Sequence, residues 1–263
     1  LKLSKNMLIT TSELEKVLDN PNLILIDTRS FQEYSQGHIL NAVNLDLFSF
    51  HWIDTSKEGI LSFNRQLEKI FSFVGITEEK KVIFYDNVSG MLAARGVWLL
   101  EYLSHTNVSM LDGGITKWKT EGRVLNTTPS NNKPANFSGT PNPKILAGFQ
   151  YVLDNLNKVT ILDVRSKEEF SGDLVRAARG GHIPTAINID YTENLSQDGT
   201  IKNDEQLSKL YQIPKEKEIV TYCQGAYRAA NTFVVLKKLG FSNVKVYLGS
   251  WGEWGNKLEL PVE

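Results

Sequence analysis

"EIVTYCQGAYRAANTFVVL", residues 218–236, holds the one cysteine of a 263-residue chain, at the junction of two patterns. Ile219–Tyr222 is a short unbroken apolar run, as in a strand buried on both faces. From Ala229 onward the apolar residues take up helical spacing. Six residues, Cys223-Gln224-Gly225-Ala226-Tyr227-Arg228, join the two. A strand that feeds a helix through a tight loop is the building unit of a parallel sheet covered by helices. In such sheets functional groups collect where strands end and loops enter helices.

The same unit occurs elsewhere in the chain, because the sequence repeats itself. "KKVIFYDNVSGMLAARGVWLLEYL" (80–103) corresponds to "KEIVTYCQGAYRAANTFVVLKKLG" (217–240). "LILIDTRSFQEYSQGHILNAVNLD" (23–46) returns as "VTILDVRSKEEFSG…RGGHIPTAINID" (159–190), and "VSMLDGGITKW" (108–118) as "VKVYLGSWGEW" (244–254). Asp27 and Asp163, Gly113 and Gly249, and Trp118 and Trp254 are each 136 positions apart. The spacing stretches at His38 and His182, because the second copy inserts "DLVRAARG" ahead of Gly181. Three blocks in order at nearly constant spacing imply two copies of one domain, residues 6–125 and 145–263. The stretch between them, 126–144, is rich in Pro, Asn, Ser and Thr and reads as an extended linker. Strands are expected at Leu23–Ile26, Val82–Tyr85, Val108–Leu111, Val159–Leu162, Ile219–Tyr222 and Val244–Tyr247. Helical patterns cover Leu67–Val74, Ala93–Leu103 and Ala229–Leu239.

Composition narrows the function classes. With 29 basic and 30 acidic side chains the formal net charge is -1, which gives no sign of a nucleic-acid or anionic-membrane partner. No apolar run approaches the roughly 18 residues of a spanning helix. A single cysteine excludes an internal disulfide and a Cys-rich zinc site. The four histidines have no metal-ligand spacing, and no metal or cofactor is expected. The opening "LKLSKNMLITTSELEKVL" lacks a signal-peptide core and leads into a capped helix, with Met7 read as the native start. The expected compartment is the cytoplasm, with a reduced thiol.

Most lone cysteines are buried and inert, so the loop has to argue for Cys223. Small residues at Gly225 and Ala226 let the backbone curl so that amides converge. The following helix brings its N-terminal partial charge to the same place, where it stabilises an anion on sulfur. Arg228 adds a permanent charge with a fork suited to oxyanions. The first copy carries Asp86 where the second has Cys223, so packing of the scaffold alone does not demand a thiol.

These features together resemble the tandem-domain rhodaneses, the thiosulfate sulfurtransferases, and the similarity spans essentially the whole chain. Its carriers are "D-x-R" in each copy (Asp27-Arg29, Asp163-Arg165), "G-H-I" in each copy (Gly37–Ile39, Gly181–Ile183), and "G-S-W-x-E-W" (Gly249–Trp254). The resemblance implies an α/β fold of two tandem domains, each a central, mainly parallel sheet with helices on both faces. It implies that the first copy is silent and the second catalytic. It implies that Cys223 takes the outer sulfur of thiosulfate as a persulfide and passes it to cyanide, a thiol, or a thiol protein. With no second cysteine, the chain cannot resolve a persulfide internally, so the acceptor must come from outside.

Gln224, Gly225, Ala226, Tyr227 and Arg228 are the expected substrate-binding residues. Where animal-type relatives place a substrate-binding Arg, this chain has Glu169, and the loop does not end in their Gly-Val-Thr pattern. Arg228 is the replacement charge, with Arg176 and Arg179 of the inserted segment as further candidates. Trp251 is a candidate pocket wall, core packing being the alternative. His38, His182 and the Asp163–Arg165 pair recur in both copies and are read as structural. The rival donor is 3-mercaptopyruvate. A phosphatase on the same fold uses Cys-x5-Arg, whereas this loop is Cys-x4-Arg, a tighter ring suited to one sulfur. A persulfide carrier or binding module is the remaining alternative.

Overall fold

The computed structural model describes residues 7–130 and 132–263; the six residues ahead of Met7 lie outside these. All six buried strands expected from the apolar runs are present, their ends displaced by no more than one residue. The chain divides into two compact units. The first comprises residues up to His51, Ser62–Pro141 and Leu195–Ile201, and the second Trp52–Leu61, Asn142–Asn194 and Lys202–Glu263. Among the described residues no helix is long and apolar enough to cross a membrane.

In chain order the first repeat forms β1 (Leu8–Ile9), α1 (Thr11–Glu15), β2 (Leu23–Asp27), α2 (Phe31–Gln36), β3 (Val43–Asn44), α3 (Lys57–Phe73), β4 (Lys81–Tyr85), α4 (Met91–Tyr102), β5 (Val108–Leu111) and α5 (Gly114–Thr120). The second forms β6 (Leu146–Ala147), α6 (Phe149–Asp154), β7 (Thr160–Asp163), α7 (Lys167–Ser171), β8 (Ile187–Asn188), α8 (Asp204–Leu210), β9 (Ile219–Tyr222), α9 (Tyr227–Lys238), β10 (Val244–Tyr247) and α10 (Ser250–Trp254). The sheet orders are β1-β5-β4-β2-β3 and β6-β10-β9-β7-β8, and every paired strand is parallel. The outermost strands, β1, β3, β6 and β8, have two residues each. Two residues carry no period, so the sequence could not announce them. Helix α3 starts ten residues ahead of its apolar pattern, because its first turns mix charged residues with Gly59.

Each sheet buries its three inner strands almost completely. Ile161, Val220, Tyr222 and Tyr247 share one core with Trp251 and Trp254 of α10. Leu25, Ile83, Tyr85 and Leu111 do the same with Ile115 and Trp118 of α5. The Pro- and Asn-rich stretch is not loose where it leaves the first repeat. Ala135 donates to the Ser72 carbonyl at 2.8 Å, Phe137 to Ser72 Oγ at 3.0 Å, and Thr140 to the Leu103 carbonyl at 3.0 Å. The Phe137 ring stands edge-on to Phe71, 5.7 Å between centroids.

The repeat extends to individual hydrogen bonds. Arg29 pairs with Asp27 at 2.6 Å and donates to the Gly37 carbonyl at 2.9 Å; Arg165 pairs with Asp163 at 2.6 Å and donates to the Gly181 carbonyl at 2.8 Å. His38 stacks on Tyr34 and faces its carbonyl at 2.9 Å, and His182 does the same with Phe170. All these groups tie the "G-H-I" segment back to the start of its domain, in both copies alike.

Candidate active site

Register decides which loops meet in the second unit. Asp163 pairs with Tyr222 across β7 and β9, so the "D-x-R" turn and the Cys223 loop leave the sheet side by side. Cys223 is the first residue past β9 and is 1% exposed. Burial alone is what an inert cysteine shows, so its neighbours must separate the two readings.

The loop turns back because Ala226 adopts the left-handed conformation, φ 65° and ψ 11°, as N-cap of α9. A non-glycine residue there is strained, and tertiary contacts must hold it. They come from the start of α10. Ser250 Oγ accepts from the amides of both Cys223 (3.2 Å) and Ala226 (3.1 Å), and its hydroxyl donates to the Tyr247 carbonyl at 2.8 Å. Trp251 N–H donates to the Cys223 carbonyl (2.9 Å) and Gly252 N–H to the Gln224 carbonyl (2.8 Å). A Cβ on Gly252 would come within 2.9 Å of that carbonyl, which is why the residue following Trp251 has no side chain. The loop is therefore clamped on both edges, and the 12-residue helix α9 directs its N-terminus at it.

The corresponding loop of the first unit is one residue longer ahead of its helix, is held by matching bonds, and is filled differently. Ile115 and Thr116 N–H donate to the Asp86 and Asn87 carbonyls at 2.9 and 3.0 Å, matching Trp251 and Gly252. There the Asp86 carboxylate itself accepts amides of the loop, Val88 at 3.3 Å and Gly90 at 3.1 Å, and of the first turn of α4, Leu92 at 3.0 Å and Ala93 at 3.1 Å. In the first unit the loop and helix start thus form an anion cradle, which the chain fills with its own carboxylate.

Burial pushes the Asp86 carboxyl up to about 6, against the pull of those amides. An acid held above its unfolded value of about 3.9 lends stability that is complete below that value and lost as pH rises through 6. About two units correspond to roughly 3 kcal/mol. Urea midpoints of wild type and Asp86→Asn, followed from pH 4 to pH 8, should therefore diverge in favour of wild type below about pH 6. A difference constant across that range would show that Asp86 does not titrate there.

The other candidate residues separate clearly. Arg228 lies beside Cys223, and its fork is bidentate to Glu169, Nη1 to Oε2 at 2.6 Å and Nη2 to Oε1 at 2.9 Å. Burial pulls the guanidinium down, but the Glu169 hydrogen bond and the Cys223 sulfur more than offset it, and the net movement is upward. Arg176 Nε is 3.4 Å from Glu169 Oε1, with its side chain 57% exposed, and its carbonyl accepts Gln224 Nε2 at 3.1 Å. Arg179 turns elsewhere: its guanidinium donates to the carbonyls of Trp254 (2.9 Å), Lys257 (2.6 Å) and Leu260 (2.7 Å), pinning the C-terminal segment. Trp251 is fully buried, with the Arg165 guanidinium 4.6 Å from its ring centroid, and belongs to the core. Tyr227 is 6% exposed at the first position of α9.

Two contributors escaped the sequence reading, Ser250 as clamp and Glu169 as partner of Arg228. The signal for Ser250 was present: it aligns with Gly114 of the first copy, so a hydroxyl appears only where the cysteine does. A cleft of about 430 Å³ in the first unit, lined by Phe31, Tyr34, Val43, Pro129 and Pro134 among others, contains none of the candidate residues.

A doubled parallel α/β domain with a thiol at the strand-to-helix loop of one copy and a carboxylate at that of the other defines the class. The chain belongs to the rhodanese-like domain family, whose model matches twice, over residues 10–121 and 149–257. It is 34% identical to the thiosulfate sulfurtransferase of Azotobacter vinelandii over 98% of this chain and 97% of that one. It is 31% identical to the sulfur carrier protein TtuD of Thermus thermophilus over 97% and 96%. Among solved structures it is similar to SseA of Escherichia coli, a 3-mercaptopyruvate sulfotransferase, with TM-score 0.81 and 26% identity over 94% of this chain and 99% of that one. These likenesses support sulfur transfer as the activity.

Proposed function

We propose that the chain is a thiosulfate sulfurtransferase in which Cys223 is the nucleophile and the Asp86 unit is catalytically silent. The observation that carries this reading is the clamped loop, with the sulfur, the Arg228 guanidinium and the N-terminus of α9 brought together. The Cys223 thiolate attacks the outer sulfur of thiosulfate, the S–S bond of the donor breaks, and sulfite leaves with the electron pair. Cyanide or a thiolate then attacks the outer sulfur of the Cys223 persulfide, and the thiolate returns. Positive charge from α9 and Arg228 stabilises both anionic forms. Arg176 and Arg228 supply the cationic side of the donor site, while Gln224, Gly225, Ala226 and Tyr227 shape it.

A donor comparison tests the assignment. Thiocyanate formation from cyanide should show a kcat/KM at least about tenfold higher with thiosulfate than with 3-mercaptopyruvate, a margin of about 1.4 kcal/mol in transition-state binding. Donor-treated protein should gain the mass of one sulfur atom at Cys223, lost on adding cyanide. The second reading, 3-mercaptopyruvate as donor, draws support from the likeness to SseA, and a reversed preference would establish it. The likeness to TtuD favours including a thiol protein among the acceptors tried.

A further inference from the structure

Glu169 stands at a position with two duties. At the start of α7 it closes a capping box with Ser166: the Ser166 amide donates to Oε2 and the Glu169 amide to Ser166 Oγ, both at 3.3 Å. Ser30 and Glu33 form the same box on α2, so capping accounts for a glutamate here in both copies. The rest of the carboxylate is used differently. Glu33 Oε1 accepts Asn87 Nδ2 at 2.9 Å, whereas Glu169, 2% exposed, takes both prongs of Arg228. A buried, bidentate guanidinium–carboxylate pair is among the strongest polar contacts and fixes the plane of the arginine. Burial pushes the Glu169 carboxyl up, but the hydrogen bond and charge of Arg228 hold it below the usual range, so it is ionised at neutral pH.

Taking Cys223 as the nucleophile, we propose that Glu169 determines donor specificity at this site. Its carboxylate holds Arg228 beside the Cys223 sulfur and cancels much of the charge Arg228 would otherwise offer an anionic donor. Glu169 acts through Arg228, as a positioning residue. The least compensated cation facing a donor is then Arg176, whose side chain is largely exposed and shares Glu169 only at 3.4 Å. A site balanced this way weakens the hold on a doubly charged donor such as thiosulfate more than on a singly charged one.

Cys223 is the one cysteine, so alkylation reads the field at its sulfur without any sulfur transfer. Iodoacetate and iodoacetamide deliver nearly the same group and differ by one negative charge. Glu169→Gln keeps the capping box, which accepts Gln as well as Glu, and removes the charge. In that variant the iodoacetate-to-iodoacetamide rate ratio should rise about fivefold at low salt, as for one charge removed from a partly screened site. The rise should shrink in high salt. The KM for thiosulfate should fall by a similar factor, and that for singly charged 3-mercaptopyruvate by less. Glu169→Asp keeps the charge and should keep the ratio near wild type. A ratio unchanged in Glu169→Gln, or raised equally in Glu169→Asp, overturns the assignment. If the ratio moves as stated but no donor turns over, Glu169 retains its role and the sulfurtransferase reading falls instead.

Discussion

Cys223→Ser should lower thiocyanate formation by about a thousandfold or more, to the level of the reaction without enzyme. The substitution changes one atom at a site 1% exposed, so the clamp by Ser250, Trp251 and Gly252 should survive it. What is lost is chemical. A serine hydroxyl is not ionised near neutral pH, and the adduct it would form with the transferred sulfur is not a persulfide. The first unit cannot compensate, because its cradle holds the Asp86 carboxylate and no thiol. Steady-state rates should be read beside the circular dichroism of both proteins. Activity within tenfold of wild type in a folded Cys223→Ser protein would remove the loop from the chemistry and return Cys223 to the class of inert buried thiols.

Arg165→Met should destabilise the second unit by about 3–5 kcal/mol, the usual effect of removing one partner from a buried ion pair. Asp163 is fully buried and Arg165 is 1% exposed. The guanidinium makes two contacts to Oδ1 and Oδ2 through Nε, one through Nη2, and a further one to the Gly181 carbonyl. Methionine fills similar volume but leaves a buried carboxylate that keeps the residue-165 amide at 3.0 Å and has lost its countercharge. Adding Asp163→Leu should recover part of the loss, since an apolar pair can replace a buried ionic one at little cost. Urea unfolding of the two variants checks this, and a single variant as stable as the double would show that the uncompensated charge is not what matters. Because Asp163 pairs in register with Tyr222, this brace also sets the platform from which the Cys223 loop departs.

The contrast between these two experiments follows what can be read from the chain. The repeat was legible because corresponding residues recur at fixed spacing, and buried parallel strands announce themselves as short β-branched runs flanked by turns. Cys223 was legible as a candidate because strand, small-residue loop and helix are adjacent in sequence, so the junction is local. The four edge strands were not, since two residues hold no pattern and exist only through pairing with β5, β2, β10 and β7. Arg176 and Arg179 looked equivalent in "DLVRAARGG", and the structure separates them: one faces Glu169, the other is spent on carbonyls more than seventy residues away in sequence.

The sequence by itself determined the doubling of the domain, the parallel α/β architecture, and which copy carries the thiol, because each of these is written in local pattern or in its repetition. Tertiary structure alone decided what surrounds the sulfur. Ser250 closes the loop from 27 residues away and Glu169 occupies the Arg228 fork from 59 residues away. Such contacts depend on how β7, β9 and β10 are ordered in the sheet. Hydrogen-bond partners at that separation leave no periodic trace in a single chain, and they exist only once the sheet has brought the strand ends together.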